Sequence, residues 1–480
     1  MKKNFLVLIL LSLPLTLFSQ NGEKNYSEAF NLIEVWLDAQ KDYDMLPGIS
    51  ASAVEGDSII WTGAFGLANR ETNLEFSTST LGSICSISKL FTSVAIMKLY
   101  DEGELRLDDR IEDLLPWYTL EQRFSGSGPI TVRSLLTHSA GLPREGNLPY
   151  WVGPVYNFPE RDEIIEELST QETLYPSATY FQYSNLGMML LGEIVAEVSG
   201  EPFEEYVINN ILQPLNLDNT RTYMPEELHG AELAIGYTPM LRDGTRSSVN
   251  FFHANAMAAA AGFSSNVIDL ADFSRWQIRL LDSDTPDILK PSTLRYMQNV
   301  HYTDPNWDTT WGLGFAVSRG SDGSKWVSHG GYCPGFQSIW RLQPESERAY
   351  AVIINANGVN PNKYATGIHG ILNKAPDVAE ESSPEEEADK PELSEYSGFY
   401  TFFYAETYIT PWGDKLATLT LPTDNPGDNL SLYRHYKDDT FVRIRDDGAD
   451  GETMEFDRDE DGNIYGMRIH QQFIYKKIGQ

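Results

Sequence analysis

A serine and a lysine three residues apart are the first residues in this sequence that could do chemistry. Ser86 and Lys89 lie in the stretch Gly82–Phe91, and the pattern from Lys89 to about Glu102 is helical, with apolar residues at helical spacing. If Ser86 opens this helix, both side chains lie on one face at the positive end of the helix. A lysine held in a water-poor site loses its proton near neutral pH and can then activate the serine as a nucleophile. Taken alone the pattern is weak, because a serine that caps a helix before an exposed lysine looks the same.

Two further motifs downstream carry side chains that fit acyl transfer. In Tyr183-Ser184-Asn185, a tyrosine beside a lysine ammonium can have a lowered pKa and move a proton, and an asparagine amide can donate to and accept from a substrate amide. His329-Gly330-Gly331 follows an apolar run, which indicates an edge strand that a ligand approaches closely. The alternatives are a buried tyrosine with a helix cap behind it and a structural turn.

Together and in this order, the three motifs resemble those of the serine β-lactamase and penicillin-binding-protein superfamily. The likeness is greatest to its class C-like branch, which contains class C β-lactamases, D-Ala-D-Ala carboxypeptidases, D-aminopeptidases and esterases. Further stretches that look like this branch are Leu135–Leu142, Ala261–Ser265 followed by Asp269–Ala271, and Trp311–Phe315. The resemblance covers about residues 45–375. It implies an α/β (α+β) sandwich, in which a mostly antiparallel sheet is flanked by helices, plus a helical lobe, with the active site between the sheet and the lobe.

The resemblance also implies a role for each motif residue. Ser86 is expected to attack a carbonyl and form an acyl-enzyme, which water then hydrolyses. Lys89 and Tyr183 are expected to share the roles of base and acid, with the proton not assigned between them. The backbone N–H groups of Ser86 and Tyr332 are expected to form the oxyanion hole.

The remaining motif residues bear on the substrate. Asn185 is expected to position the substrate amide, and His329, with Gly330 and Gly331, to steer and polarise the far side of the site. Class C β-lactamases carry Lys-Thr-Gly where this chain has His329-Gly330-Gly331; glycine has no hydroxyl, and histidine is only partly charged at neutral pH. The sequence therefore favours a small peptide, amide or ester substrate, as for a D-amino-acid peptidase, a carboxypeptidase or an esterase. The alternatives are a β-lactam-hydrolysing or penicillin-binding protein and a catalytically inactive binding protein.

The chain has only two cysteines, Cys85 next to the predicted nucleophile and Cys333 four residues after His329. Certain class A carbapenem-hydrolysing relatives have cysteines at the same positions relative to these motifs, joined by a disulfide. By this resemblance we predict that Cys85 and Cys333 are paired, which contributes roughly 4–5 kcal/mol in the chain-entropy model. The alternative is two buried free thiols.

Charge and the first residues indicate where the protein works. The 480 residues carry 36 basic and 69 acidic side chains, a net charge of −33, which argues against nucleic acid and anionic membrane surfaces as partners. Met1–Gln20 has a basic start, an apolar segment and a plausible cleavage point, the pattern of a secretory signal peptide. We expect an exported, soluble protein of the periplasm or exterior, without a stable membrane anchor. The oligomeric state is left open.

Four regions are predicted along the chain: a signal peptide at 1–20, the hydrolase domain at 21–374, an acidic linker rich in proline and glutamate at 375–392, and a C-terminal domain at 393–480. The last region alternates apolar and polar residues between turn signals, which predicts a small antiparallel barrel. It resembles the lipocalin-like domain often fused behind such hydrolases, and we expect an accessory unit that the linker lets move. Within the hydrolase, the aromatic residues of Pro143–Thr179 either line a substrate cleft or pack a surface loop onto the body.

No cofactor or metal site is predicted. Asp457–Gly462 mimics the start of a calcium-binding loop, but its twelfth position is Arg468 where a glutamate is required, so we predict a hairpin turn there. The eight histidines show no metal-ligand spacing.

Overall fold

An antiparallel sheet with helices on both faces forms the larger part of the protein, which we describe from a computed structural model. The structure describes residues 24–377, 391–402, 405–470 and 472–477. The nine strands of this sheet in the described ranges are β1 Gly48–Glu55, β2 Ser58–Asn69, β3 Leu74–Glu75, β6 Tyr302–Thr303, β7 Thr310–Trp311, β8 Ala316–Arg319, β9 Lys325–Cys333, β10 Phe336–Gln343 and β11 Arg348–Ile354. They pair in the order β3-β2-β1-β11-β10-β9-β8-β7-β6, and every pairing is antiparallel. Two short strands, β4 Gly82–Ser83 and β5 Ser264–Ser265, pair separately.

Eleven α-helices accompany this sheet within the described part of the chain. They are α1 Tyr26–Tyr43, α2 Ser88–Glu102, α3 Ile111–Leu114, α4 Val132–Leu136, α5 Arg161–Leu168, α6 Asn185–Ser199, α7 Phe203–Val207, α8 Ala258–Ala261, α9 Val267–Leu281, α10 Pro291–Met297 and α11 Asn362–Asn373.

The central strands of the sheet are buried on both faces. Along β11, Tyr350 and Val352 pack with α1 and α11, whereas Ala351 and Ile353 point into the larger core with α2 and α9. Successive side chains of the strand point to opposite faces and both faces are buried, so nearly every residue of the strand is apolar. The helix α2 is buried along almost its whole length and ends at Gly103, whose left-handed backbone (φ 84°) stops the helix. Ser86, which is half-buried, lies just before this buried helix.

The C-terminal residues form a closed barrel. Its strands are β12 Gly398–Phe402, β13 Ala405–Trp412, β14 Lys415–Leu421, β15 Ser431–Lys437, β16 Thr440–Ile444, β17 Asp450–Arg458, β18 Ile464–Ile469 and β19 Gln472–Lys476, with a short helix α12 Pro426–Asn429 between β14 and β15. The turn at Asp461-Gly462 joins β17 to β18 as a hairpin, in line with our rejection of a calcium loop.

The barrel is docked on the helices that cover the outer face of the sheet. Trp36 of α1 donates its indole N–H to the carbonyl oxygen of Thr423 (2.9 Å), and Trp412 of β13 donates to the carbonyl oxygen of Lys374 (2.9 Å). Several apolar residues of β13 and β14 join the same buried cluster as α1 and α11. We expected the linker to let the barrel move; instead the two parts share a core, because the apolar outer surfaces of α1 and α11 are covered by the barrel.

The predicted fold class, a helix-flanked antiparallel sheet with a helical lobe followed by a small barrel, is confirmed. The predicted signal peptide lies outside the described residues, as do residues 378–390 of the predicted linker. At the start of that linker, Ala375 is buried and Asp377 forms an ion pair with Lys24 (2.7 Å). In the described ranges, no helix combines the length and apolar character that a membrane crossing requires.

Candidate active site

Ser86 lies in a tight turn immediately before α2. Cys85–Ile87 forms one turn of 3-10 helix, and the α-helix begins at Ser88, two residues later than a helix opened by Ser86 would require. Cys85 has a positive φ of 52°, a left-handed conformation that is uncommon for a residue with a Cβ and that occurs at functional sites. The turn nevertheless keeps the side chains of Ser86 and Lys89 on the same side.

Lys89 is fully buried beside Ser86. Its Nζ lies 3.0 Å from Ser86 Oγ and 2.6 Å from the carbonyl oxygen of Ala260. Burial holds the pKa of Lys89 well below its usual value, an effect that the carboxylate of Glu145 opposes and the guanidinium of Arg144 reinforces. A neutral amine at this distance can accept the proton of the serine hydroxyl.

Tyr183 forms a cluster of three polar side chains with Ser86 and Lys89. Its side chain is hydrogen-bonded to Ser86, and Lys89 Nζ lies 4.9 Å from the centre of its ring. We expected a lysine ammonium to lower the pKa of the tyrosine. The pKa of Tyr183 is instead raised, because the site is poor in water and Lys89 is itself shifted toward its neutral form, whereas the hydrogen bond with Ser86 and the charge of Arg144 offset this only in part. Tyr183 therefore keeps its proton and can donate it.

Asn185 sits at the start of α6 and is held by a residue that sequence reasoning did not single out. Ser184 caps the helix by accepting the N–H of Gly187 (2.8 Å). Asn185 Nδ2 donates to Glu145 Oε1 (2.6 Å), and the other oxygen of Glu145 accepts the Tyr150 hydroxyl. A carboxylate can only accept, so the amide nitrogen of Asn185 faces Glu145, and its Oδ1 is buried without a partner among the described residues.

The segment that carries Glu145 is fastened to the same helix end by its backbone. The carbonyl oxygen of Pro143 accepts the hydroxyl of Ser184 (2.7 Å), and the carbonyl oxygen of Arg144 accepts the N–H of Asn185 (2.7 Å). The Arg144 guanidinium lies over the ring of Tyr183, 5.0 Å from its centre. No local pattern marks Arg144 and Glu145 in the sequence, since their place depends on the packing of a loop against α6.

His329 on β9 is buried and neutral. Its Nδ1 donates to the carbonyl oxygen of Gly330 (2.8 Å), which leaves Nε2 as a buried acceptor with no partner in the described ranges. Burial, with the nearby charge of Lys89, lowers the pKa of His329 to about 3. We expected a partly charged histidine at neutral pH; it is uncharged because water is excluded from around the ring.

The two glycines after His329 play different parts. A Cβ on Gly331 would stand 2.2 Å from Ser338 Oγ and 2.3 Å from the carbonyl oxygen of Ile84, whereas a Cβ on Gly330 would meet nothing closer than 3.9 Å. Gly331 is thus required by the close approach of β9 to the turn before Ser86. We predicted an edge strand here, but β9 lies between β10 and β8 in the sheet; its pairing with β8 ends at Ser328, and beyond this residue it pairs with β10 alone among the described strands.

A disulfide ties the same two segments together. Cys85 and Cys333 are joined with their Cα atoms 5.6 Å apart, and both are buried. Tyr332, the predicted second oxyanion residue, precedes Cys333 on β9 and has an exposed side chain. The strand that carries its backbone N–H is therefore linked covalently to the residue before Ser86.

Two further buried rings support Tyr183 from behind. The ring centre of His138 lies 4.3 Å from that of Tyr183, and Trp311 contacts both His138 (5.3 Å) and His329 (5.6 Å). His138 Nδ1 accepts the N–H of Ser184 (3.2 Å). Burial, followed by the charge of Lys89, lowers the pKa of His138, so this ring is neutral as well. Both residues belong to stretches that the sequence marked, but their contact with Tyr183 could not be read from the spacing.

A cavity of about 370 Å³ opens beside Ser86. Its walls come from the Arg144–Glu145 segment, from Asn185, from β9 and from two loops, with lining residues Ser86, Arg144, Glu145, Trp151, Tyr156, Asn185, Thr238, Pro239, Val249, Tyr332, Cys333, Pro334 and Asn357. Both interpretations of the aromatic loop hold for different residues: Trp151 and Tyr156 line the cavity, whereas Tyr150 and Phe158 are buried in the core. The barrel contributes no lining residue among those described. Among the residues that the structure describes, no group of three or more His, Cys, Asp or Glu side chains could hold a metal ion.

Comparison with known proteins places this geometry in context. The model of the Beta-lactamase family matches residues 37–370. A putative D-alanyl-D-alanine carboxypeptidase of Escherichia coli (strain K12) is 25% identical over 320 residues, which cover 61% of this chain and 72% of that protein.

Two solved structures share the fold. An octameric penicillin-binding protein homologue from Pyrococcus abyssi superposes with a TM-score of 0.64 at 24% identity, over 93% of this chain and 99% of that one. A D-stereospecific amidohydrolase from a Streptomyces species gives a TM-score of 0.58 at 22% identity, over 73% and 98% of the two chains. The first of these likenesses extends over the sheet, the helical lobe and the barrel together.

Proposed function

The chain belongs to the β-lactamase family, and on that premise we propose that it is an exported serine hydrolase that cleaves peptide, amide or ester substrates through an acyl-enzyme. The observation that carries the proposal is the contact of 3.0 Å between Ser86 Oγ and the fully buried Nζ of Lys89. A lysine whose pKa is lowered by burial can lose its proton near neutral pH and then act as a base.

In the proposed reaction, Lys89 takes the proton of Ser86 while Oγ attacks the substrate carbonyl. The backbone N–H groups of Ser86 and Tyr332 stabilise the oxyanion. Tyr183, which keeps its proton, donates to the leaving group, so that the acyl-enzyme forms and the amine or alcohol departs neutral. Water then attacks the acyl-enzyme with the same groups in reverse roles.

The geometry favours peptides, amides and esters over β-lactam antibiotics. A β-lactamase of class C type holds the antibiotic carboxylate with the lysine charge and threonine hydroxyl of Lys-Thr-Gly, whereas His329 is neutral and Gly330 has no hydroxyl. The similarity to a putative D-alanyl-D-alanine carboxypeptidase supports the same preference.

Labelling with a fluorophosphonate tests the nucleophile. We expect covalent labelling at Ser86 in the unaltered protein and none in Ser86→Ala, while the exposed neighbour Ser79→Ala, as a matched control, labels normally. Hydrolysis that survives in Ser86→Ala would contradict the proposal. A panel of p-nitrophenyl esters, D-amino-acid anilides and nitrocefin then ranks the substrates, and fast turnover of nitrocefin would reverse our order.

Export is proposed from the pattern of Met1–Gln20 and is supported by the disulfide, since disulfides persist in oxidising compartments. We expect the mature chain to begin near residue 21, which N-terminal sequencing of protein from a fractionated bacterial host measures. An intact Met1 on protein recovered from the cytoplasm would contradict export.

A further inference from the structure

A positively charged side chain lines the cavity of this strongly acidic protein. The chain carries a net charge of −33, yet the charged side chains among the described lining residues are Arg144 and Glu145 alone. The side chain of Arg144 is 59% exposed and that of Glu145 is 22% exposed. The positive side chain is therefore the more accessible of the two charges that line the cavity with Ser86.

Glu145 is not free to neutralise this charge fully. Oε1 of Glu145 accepts the amide of Asn185 and its other oxygen accepts the hydroxyl of Tyr150. In the ion pair with Arg144, the closest atoms are Nε of Arg144 and Oε1 of Glu145, 3.3 Å apart. Within the part of the chain that the structure describes, neither terminal nitrogen of Arg144 has a protein hydrogen-bond acceptor. The two Nη groups of an arginine form a planar fork that fits a carboxylate with two hydrogen bonds.

The position of this fork is fixed with respect to the nucleophile. The carbonyl oxygen of Arg144 accepts the N–H groups of Asn185 and Leu186 at the start of α6 (2.7 and 3.2 Å). The guanidinium stacks over Tyr183, and Tyr183 is itself hydrogen-bonded to Ser86. A group held by Arg144 would therefore lie on the Tyr183 side of the cavity that Ser86 lines.

We propose that Arg144 is a substrate-binding residue that holds a carboxylate of the substrate, so that the site selects anionic peptides over neutral amides and esters. The inference rests on the proposed function and names the substrate class of that same site. The carboxylate can come from the C-terminus of the leaving residue or from an acidic group on the acyl side, and the experiment separates the two sources.

Binding is measured first in Ser86→Ala, where acylation does not take part. Calorimetry compares N-acetyl-D-alanine with N-acetyl-D-alaninamide, and a succinylated with an acetylated D-alaninamide. We expect one carboxylate to bind about 10- to 100-fold more tightly than its neutral partner, as for hydrogen bonds to a charged group. The pair that shows the difference identifies the source of the carboxylate.

The same comparison is then made after replacing the arginine. Arg144→Gln is expected to abolish the preference, and Arg144→Lys to keep only part of it, because lysine retains the charge but not the fork. Arg319→Gln, an equal charge change at an exposed residue outside the cavity, is expected to leave the preference unchanged. In turnover by the unaltered serine, Arg144→Gln should lower the ratio of kcat/KM for the anionic substrate to kcat/KM for the neutral substrate by the same factor, because any effect of the lost charge on Lys89 and Tyr183 is common to both substrates.

Equal affinity for carboxylate and amide would overturn the inference, as would a preference that survives in Arg144→Gln or no binding of either carboxylate at millimolar concentration. An equal loss on anionic and neutral substrates would also overturn it and assign Arg144 to the support of Glu145 and Tyr183. Failure of the proposed function gives a different result, namely no fluorophosphonate label on Ser86 whatever the ligands do.

Discussion

Replacing Gly331 with alanine should slow the reaction of Ser86, the proposed nucleophile, without changing a side chain to which we assign a catalytic role. The added Cβ would stand 2.3 Å from the carbonyl oxygen of Ile84 and 3.1 Å from Cys85 Cβ. Real Cβ contacts essentially never fall below 3.0 Å, so the strand or the turn before Ser86 must move by about 0.7 Å. Backbone forms that contact, and the disulfide of Cys85 limits how the turn can yield.

A displacement of this size falls on the geometry of attack. A misplacement on the order of 1 Å in a reacting group costs about a hundredfold in rate. We therefore expect the rate of fluorophosphonate labelling of Ser86 to fall by about 10- to 100-fold in Gly331→Ala. Overpacking should also lower the free energy of unfolding by about 1–3 kcal/mol.

Gly330→Ala is the matched control on the neighbouring residue. Its Cβ would meet nothing closer than 3.9 Å, so labelling rate and thermal midpoint should stay near those of the unaltered protein. Labelling rates measured well below the midpoint separate loss of geometry from loss of fold. If Gly331→Ala labelled as fast as Gly330→Ala and melted at the same temperature, the close approach of β9 to the turn would not constrain the nucleophile.

Four further outcomes are expected. Because burial lowers the pKa of Lys89, the rate of fluorophosphonate labelling should fall as the pH drops through that lowered pKa and Lys89 gains a proton. Lys89→Arg, which stays protonated, should lose labelling at every pH. A labelling rate of the unaltered protein that does not change with pH would contradict this role of Lys89. The pKa of His329 is about 3 in the folded protein and about 6.5 in the unfolded chain. Between these pH values the unfolded chain binds more protons, so the free energy of unfolding should decrease as the pH is lowered, by up to about 5 kcal/mol. Urea titrations at pH 7 and pH 4 should show a smaller loss in His329→Asn. Reduction of the Cys85–Cys333 disulfide, which closes a separation of 248 residues, should lower the free energy of unfolding by about 2–5 kcal/mol, and unchanged unfolding in the presence of reductant would contradict a bond in the native protein. Trp412→Ala should lower the free energy of unfolding by about 3–5 kcal/mol, because Trp412 lies in the core that the barrel shares with α1 and α11. Ser86 should still be labelled in the variant protein that remains folded, and loss of labelling there would show that the barrel supports the site.

Local patterns predicted the elements that carry the site. The helical spacing after Lys89 follows from the geometry of a single element, and Ser184 is a helix cap that can be read from its type. The order of elements and the resemblance then placed the sheet against the helical lobe, as the structure has it.

Properties that depend on burial could not be read from the sequence. The pKa values of His329 and Tyr183 are set by the exclusion of water from a cluster to which His138 and Trp311 also belong, and these come from distant parts of the chain. The same holds for Glu145, whose contacts with Asn185 and Tyr150 depend on how a loop folds onto α6.

The site divides into a part that is held rigidly by the sheet and a part that is held by a loop. The turn of Ser86 is fixed to β9 by the disulfide and by the close approach at Gly331. The charged segment Pro143–Glu145 is fixed instead to the start of α6, through hydrogen bonds of its backbone and of Glu145. Replacing the side chain of Arg144 therefore leaves both sets of supports in place, since its backbone carbonyl is what α6 binds. Substrate preference can therefore change at that position while Ser86 and Lys89 keep their geometry, which is the separation that the Arg144 variants measure.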